Sequence, residues 1–403
     1  MANELRPEFL SINSLNPWTQ HDSSPRGYMF SASHIAQALV IDGATPRRCQ
    51  TGTEREFGKY TFNIKFPYDS QIIKVIPKYR HTLGNDNIKD NPATLIIYER
   101  VDTKEVGIVE MIRHSTAVDV KHQHFGFRYK YKSIAETISE GMVVHGGTII
   151  ADSPSIDDAG NYNYGVESNV AFMSVPGIIE DGVVVSESYL KKISSKGFEK
   201  RVTSWGKEYY PLNLYGDVNN YKPFPDIGDR IRDDGLLFAL RSYDDLLGPV
   251  EMNKASLQSP DYVFDKLVYA KPGAKVVDVA VHHDTINRNP PTPVGMEVQV
   301  DKYHQAMVRY YTTILETYNE LHRVRKDSLV VTPEFHRLVV EAVGYIGLDG
   351  NPLTKHLKSK DVVKRRVQKL HRRKEIDDWR VEVTFEYDVS PVDGFKITDA
   401  HGG

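Results

Sequence analysis

The chain has 403 residues, with 51 Lys and Arg against 54 Asp and Glu and a formal net charge of −3, so any nucleic-acid or membrane-facing basic site must be local rather than global. One cysteine, Cys49, excludes an intrachain disulfide and a zinc ribbon, which fits a reducing compartment. The first residues, MANELRPEFL, lack the apolar core of a signal peptide, and no stretch approaches the ~20 apolar residues of a membrane helix, so a soluble intracellular protein is expected.

In chain order, Thr94 to Val101 predicts a strand, Asp102 to Glu105 a turn and Val106 to Ile112 the returning strand. Gly141 to Asp152 (GMVVHGGTIIAD) and Ile227 to Arg241 (IGDRIRDDGLLFALR) resemble each other. Each has aliphatic or β-branched residues, a turn ending in Gly, then a short apolar strand. They read as two copies of a small barrel or sandwich hammerhead, or else as two ordinary hairpins. Ser168 to Ser186 reads as two apolar strands flanking a Pro-Gly turn. In Lys275 to His282, Val277, Val279 and Val281 fall on one strand face. After Met296 the period changes: Tyr303, Met307, Tyr311, Ile314, Tyr318 and Leu321 recur at helical spacing, and Glu334 to Ile346 continues helical. Lys355 to Lys374 holds ten Lys or Arg and one acid, Asp361, with a narrow apolar stripe, and predicts a basic amphipathic helix. Val381, Val383, Phe385, Tyr387 and Val389 alternate as a half-buried strand leading into DGFK. The expected class is a β-rich α+β fold with a helical insertion. No long internal repeat is visible.

The adjacent carboxylates Glu180 and Asp181 follow the Pro-Gly turn. Such a pair repels itself and sits in solvent or near a cation. Magnesium takes few carboxylates, several waters and substrate phosphates, so the pair could touch such an ion without caging it. Lys396 follows Gly394, with Asp399 and His401 behind it. A Lys on a Gly-bearing loop suits a phosphate, though exposed loop lysines are common. His122 with His124, and His282-His283-Asp284, lack the partners and spacing of a zinc site. No P-loop, dinucleotide fingerprint or Gly-x-Ser-x-Gly elbow is present. The basic helix suits phosphates, and equally a solvated face or an acidic partner.

Four blocks in order carry a resemblance. TQHDSSPRGYMFSASHIAQALV, followed by CQTGTERE, makes the first, over residues 19–56. The second is GGTIIADSPSIDDAGNYNYGVESNVAFMSVPGIIEDGVVVSES, the third GDVNNYKPFPDIGDRIRDDGLLFALR and the fourth DGFKITDAHGG. Together they resemble the C-terminal half of the β subunit of multisubunit DNA-dependent RNA polymerase, in the divergent split form of giant phages. Residues from about Asp284 to Asp377 have no counterpart in the pattern and resemble a flap or helical insertion.

The resemblance implies an RNA polymerase β-subunit-like fold with sandwich-barrel motifs. It implies a fork-like segment over 1–75, a hybrid-binding and channel-wall region over 76–190, a flap- and wall-like region over 191–380, and the start of a C-terminal hybrid-binding segment over 381–403. It implies template-directed nucleotidyl transfer by an assembly, this chain being inactive alone. Lys396 falls on the first of two family lysines that contact the RNA 3′ end. The second would follow Gly403, so either the gene is split here or residues 1–403 are one exon or fragment of a longer chain, and the remaining C-terminal part is expected from elsewhere. Glu180 and Asp181 take the acidic-pair position near the second Mg2+, with one residue fewer after Gly177 than in the family pattern. Glu54 and Arg55 resemble part of the fork near downstream DNA, and Arg26 belongs to the same block. Arg128 in GFRYKYK is the nearest candidate for the family's nucleotide-contacting Arg, without its Asn-Gln signature, and His401 accompanies Lys396. Expected partners are template DNA, the RNA transcript, nucleoside triphosphates, a β′-like subunit that holds most of the Mg2+, other β fragments and a specificity factor. No membrane partner is expected, and the location is the host cytoplasm or the virion. The alternative is a non-catalytic nucleic-acid-binding or scaffold subunit that keeps the same fold. A carrier-type hammerhead would need a modifiable lysine in one of the Gly turns, and neither turn offers one.

Overall fold

The computed structural model describes residues 12–29, 40–79, 88, 90–120, 123–174, 176–177, 182–243, 254–283, 293–346 and 379–390. Within them lie helices α1 (Ser24–Met29) and α2 (Glu54–Tyr60), then strands β1 (Asn63–Lys65), β2 (Ser70–Pro77), β3 (Ala93–Arg100), β4 (Val106–Ile112), β5 (His114–Val120), β6 (Gln123–Arg128) and β7 (Lys130–Tyr131). Helix α3 (Ile134–Thr137), β8 (Val143–Val144), β9 (Ile149–Asp152), α4 (Glu187–Leu190), β10 (Ser195–Trp205), β11 (Tyr209–Pro211) and β12 (Leu236–Ser242) follow. The last are α5 (Lys254–Gln258), β13 (Lys266–Tyr269), β14 (Lys275–His283), α6 (Val298–Arg325), α7 (Pro333–Ile346) and β15 (Trp379–Val389). The strands form sheets in the orders β1-β9-β7, β4-β3-β2-β8, β14-β15-β10-β6-β5 and β11-β12-β13. The fold is therefore a β-rich α+β fold. Among the described residues no helix is long and apolar enough to cross a membrane.

The two Gly-bearing stretches of the sequence are not hairpins. In each, the arm before the turn pairs with one sheet and the arm after it with another. β8 lies on β2 and β9 on β1, while Arg230 bridges Lys275 of β14 and β12 lies on β13. Their hydrogen bonds correspond one for one. Gly141 N–H donates to Ile72 and Ile72 N–H to Met142, both at 2.8 Å; Gly228 N–H donates to Val276 at 2.8 Å and Val276 N–H to Asp229 at 2.9 Å. Lys65↔Ile149 and Ile64↔Ala151, with a register break between them, match Tyr269↔Leu236 and Val268↔Phe238 with the same break. β2 breaks register against β3 between Ile72 and Lys74, as β14 does against β15 between Val276 and Asp278. Glu99↔Val106 across β3 and β4 corresponds to Glu386↔Phe198 across β15 and β10.

The chain thus contains one strand unit twice, with different starting points. The first unit runs β1, β2, β3, β4, β8, β9. The second runs β10, residues 228–231, β12, β13, β14, β15, which is the same cycle entered at the counterpart of β4. The interiors agree as well: Ile72, Ile96, Tyr98, Val144 and Ile150 correspond to Val276, Val383, Phe385, Ile231 and Leu237, all buried. The absence of a visible repeat in the sequence is therefore corrected. A cyclic permutation breaks the collinear order that a sequence comparison needs, and the shared property is apolar burial rather than residue identity.

The expected hairpin over 94–112 is β3 and β4, and the alternating run from Val381 is β15, with Val381, Val383 and Phe385 fully buried. The helical spacing from Tyr303 is α6, whose buried face includes Tyr303, Met307, Tyr311, Ile314 and Tyr318. A 3-10 turn at Lys326–Ser328 separates it from α7. Both helices lie in the connection between β14 and β15 and join a core that also takes Ile76, Leu95 and Ile97 of the first unit and Val279, Val281 and Val383 of the second. Of the two strands expected over 168–186, neither appears among the described residues: 168–174 and 183–186 carry no regular structure, and Phe172 is 98% exposed. Apolar composition favours a strand only where a neighbour supplies hydrogen bonds, and this segment has none among the described residues. The basic run over 355–374 lies outside the described residues.

Candidate functional site

The first and second sequence blocks are clasped together around one carboxylate. Glu54 opens α2 and is 3% exposed. Its Oε1 accepts from Arg47 Nη2 and from Thr51 N–H, each at 2.9 Å, and its Oε2 accepts from Gly52 N–H at 2.8 Å. Burial pushes this carboxyl up, but the backbone N–H bonds and the Arg47 charge outweigh it and hold the group below its usual value. Arg47 also donates to the Leu15 carbonyl at 2.9 Å and lies over the Tyr164 ring at 4.2 Å. Tyr164 Oη donates to the same carbonyl at 2.9 Å. The second block closes on α2 through Tyr162 N–H, which donates to the Glu54 carbonyl at 3.0 Å. Gly58 allows this approach, since a Cβ there would lie 1.9 Å from the Gly160 carbonyl oxygen.

Arg128 lies on β6 and is committed to the sheet. Its Nε donates to Glu386 Oε2 at 2.7 Å, and its Nη2 bonds the other oxygen, a bidentate pair with a carboxylate 8% exposed. Glu99, the counterpart of Glu386 in the first unit, is equally buried and is bound by Arg325 at the end of α6 and by Lys104 at 3.2 Å. Burial pushes Glu99 up, while the bonds from Arg325 and Lys104 hold it below the usual range. Both units therefore anchor a connecting element to the same strand position through a buried glutamate. Arg47, Arg325 and the two glutamates were not singled out in the sequence. An acid inside an apolar alternating run, as at Glu99 and Glu386, is the signal that could have found the glutamates.

Arg55 and Arg26 are exposed, and among the described residues Arg26 reaches only Met29 Sδ at 3.8 Å. Glu180, Asp181, Lys396 and His401 lie outside the described residues. The structure thus brings Glu54 to the clasp, pairs Arg128 with Glu386, and does not join these to Arg26. Out of the clasp runs the segment that leads toward Glu180. Thr45 N–H holds the Gly165 carbonyl at 3.1 Å, Arg48 pairs with Glu167, and beyond this Val170, Phe172 and Met173 are exposed. Among the described residues no group of three His, Cys, Asp or Glu side chains could hold a metal ion. A scan against protein-family models and a search of curated proteins found no match to this chain.

Proposed function

We propose that this chain is a part of the catalytic core of a multisubunit DNA-dependent RNA polymerase, corresponding to the C-terminal half of the β subunit, and that it acts only in a complex. The observation that supports this reading most is the clasp. Two of the sequence blocks that resemble the family, distant in the chain, meet at Glu54 and Tyr162 and present the segment toward Glu180-Asp181 on an open surface. The third block, residues 216–241, holds residues 228–231 and most of β12, so it covers neighbouring elements of the second strand unit rather than scattered residues. In this reading Lys396 holds the RNA end and His401 stands beside it. Glu180 and Asp181 stand near the second Mg2+, and a β′-like partner holds most of the metal. Mg2+ in such sites stabilises charge on the transferring phosphoryl group. Arg55 and Arg26 are available to nucleic acid. Arg128 and Glu54 act first on the shape of the site, because their charges are answered inside the chain.

The test is a pull-down of the tagged chain from its native cell, with RNA-primer extension on a DNA scaffold and masses of all bound chains. Extension, abolished by Lys396→Ala with the same chains still bound, is expected. A complex that binds DNA and never extends a primer would favour the scaffold reading. Normal elongation by the Lys396→Ala complex would remove the role given to that lysine.

A further inference from the structure

The two strand units differ at one edge. On the side of β14 away from β15, three backbone groups beyond residues 228–231 are closed by side chains. Val279 N–H donates to Asp278 Oδ1 at 2.9 Å, and the Val279 carbonyl accepts from Tyr79 Oη at 2.8 Å. The Val281 carbonyl accepts from Tyr345 Oη. The counterpart edge is that of β2 beyond β8. Lys78 N–H donates to the Ala93 carbonyl, so the antiparallel alternation turns the backbone groups of Val75 and Pro77 away from β3. β8 covers only Ser70 and Gln71. The Val75 N–H and carbonyl and the Pro77 carbonyl find no partner among the described residues. They face a cleft of about 280 Å³ between this edge and α6, with Lys74, Lys78, Glu140, Arg309 and Tyr310 in its lining.

We propose that this cleft receives a short extended segment of a partner chain carrying a carboxylate, added as a strand to β2 in line with β8. The backbone sets the class of ligand. Two carbonyls and one N–H ask for donors and an acceptor together, which an extended peptide offers and a free anion does not. Charge sets its character. Lys74 pairs with Glu140 at 3.1 Å and Lys78 with Asp278 at 2.9 Å, but Arg309 has no acidic partner among the described residues. A carboxylate on the added strand answers it. Pro77 donates no hydrogen bond, so the ladder ends there and the segment pairs over about three residues, on the order of 10 Å. The edge belongs to the first unit alone and does not depend on the polymerase reading.

Deuterium exchange of the full chain, with the probe acetyl-Val-Glu-Val-Glu-Val-amide at millimolar concentration, tests this. Exchange over residues 72–78 is expected to slow about tenfold at the Val75 amide. The protection should be lost with a probe N-methylated at its central residue, with the Lys-for-Glu probe, and in Arg309→Ala. Unchanged exchange, or equal protection by the lysine probe or in Arg309→Ala, overturns the proposal. So does protection by inorganic phosphate alone, which would make the cleft an anion site. Protection that rises with protein concentration without any probe would make a second copy the occupant and also overturn it.

Discussion

Glu54 and Arg55 are neighbours in one motif and have opposite fates. The Glu54 carboxylate accepts from two backbone N–H groups and from Arg47, whose own side chain is mostly buried. Glu54→Gln removes the charge that answers Arg47, so a loss of about 2–4 kcal/mol is expected, read as a lower urea midpoint at unchanged slope. Arg55→Ala should cost less than about 0.5 kcal/mol, because the side chain is exposed. If Arg55 serves nucleic acid, the same variant weakens DNA binding by the assembled complex and shallows its salt dependence by about one charge. A stable Glu54→Gln chain would show that the clasp tolerates an unanswered Arg47. The motif alone could not separate the two roles, since both residues are charged and adjacent. Only the fold shows that Arg47 and the Thr51 and Gly52 N–H groups converge on one of them.

At the level of elements, the strands and helices legible in the sequence were those whose partners lie inside the chain. β15 alternates because one face meets the core, and α6 keeps its apolar spacing because it packs on β14 and α7. The run over 168–174 is apolar too, through Val170, Ala171, Phe172 and Met173, yet is no strand here, because composition does not tell whether a neighbour is present. The partners of the buried glutamates were illegible for a related reason: the arginines that answer them stand 226 and 258 residues away. The corresponding turns make a prediction common to both units. Gly141 and Gly228 have φ of 85° and 95°, a conformation that costs an L side chain about 1–2 kcal/mol. Gly141→Ala and Gly228→Ala should therefore lower stability by similar amounts in thermal melts, whereas an unequal pair would mean that only one unit needs the turn. The connection between β14 and β15 adds a pH-dependent element. His283 stacks on Trp379 at 3.8 Å, with His304 of α6 edge-on to both. Burial holds His282 and His304 below their ordinary value of 6.5. The unfolded chain takes up these protons first, so the contribution is full above about 6.5 and falls as pH drops through that value towards the lower folded ones. His304→Gln should flatten the fall in melting temperature between about pH 7.5 and about pH 5. An unaltered slope would assign the acid sensitivity to other groups.

Across the whole molecule, the permuted units share one large cluster, while the first unit also keeps an interior cluster of its own around Phe66, Ile72, Ile96, Tyr98, Val144 and Ile150. Ile76 and Leu95 of one and Val279 and Val383 of the other belong to a single buried cluster closed by α6 and α7. The seam between them is polar as well as apolar. Lys78 pairs with Asp278, and the next residue, Tyr79, is 2% exposed, lies edge-on to Tyr303 at 6.0 Å and donates its hydroxyl to the Val279 carbonyl. This bond closes the edge of β14 whose counterpart on β2 stays open, so the first unit supplies to the second what the first itself lacks. Tyr79→Phe keeps the ring and leaves that carbonyl unpaired, a loss of about 1–3 kcal/mol. Because the core is shared, the loss should be felt everywhere. Trp205 and Trp379 are buried in the second unit and report on it by fluorescence, while far-UV circular dichroism reports on the strands of both. In urea the two signals should coincide in the parent chain and shift together in the variant. A fluorescence midpoint that moved while the dichroism stayed behind would mean that the first unit holds its fold without the second. The seam would then be an interface between two independent units rather than the middle of a shared cluster.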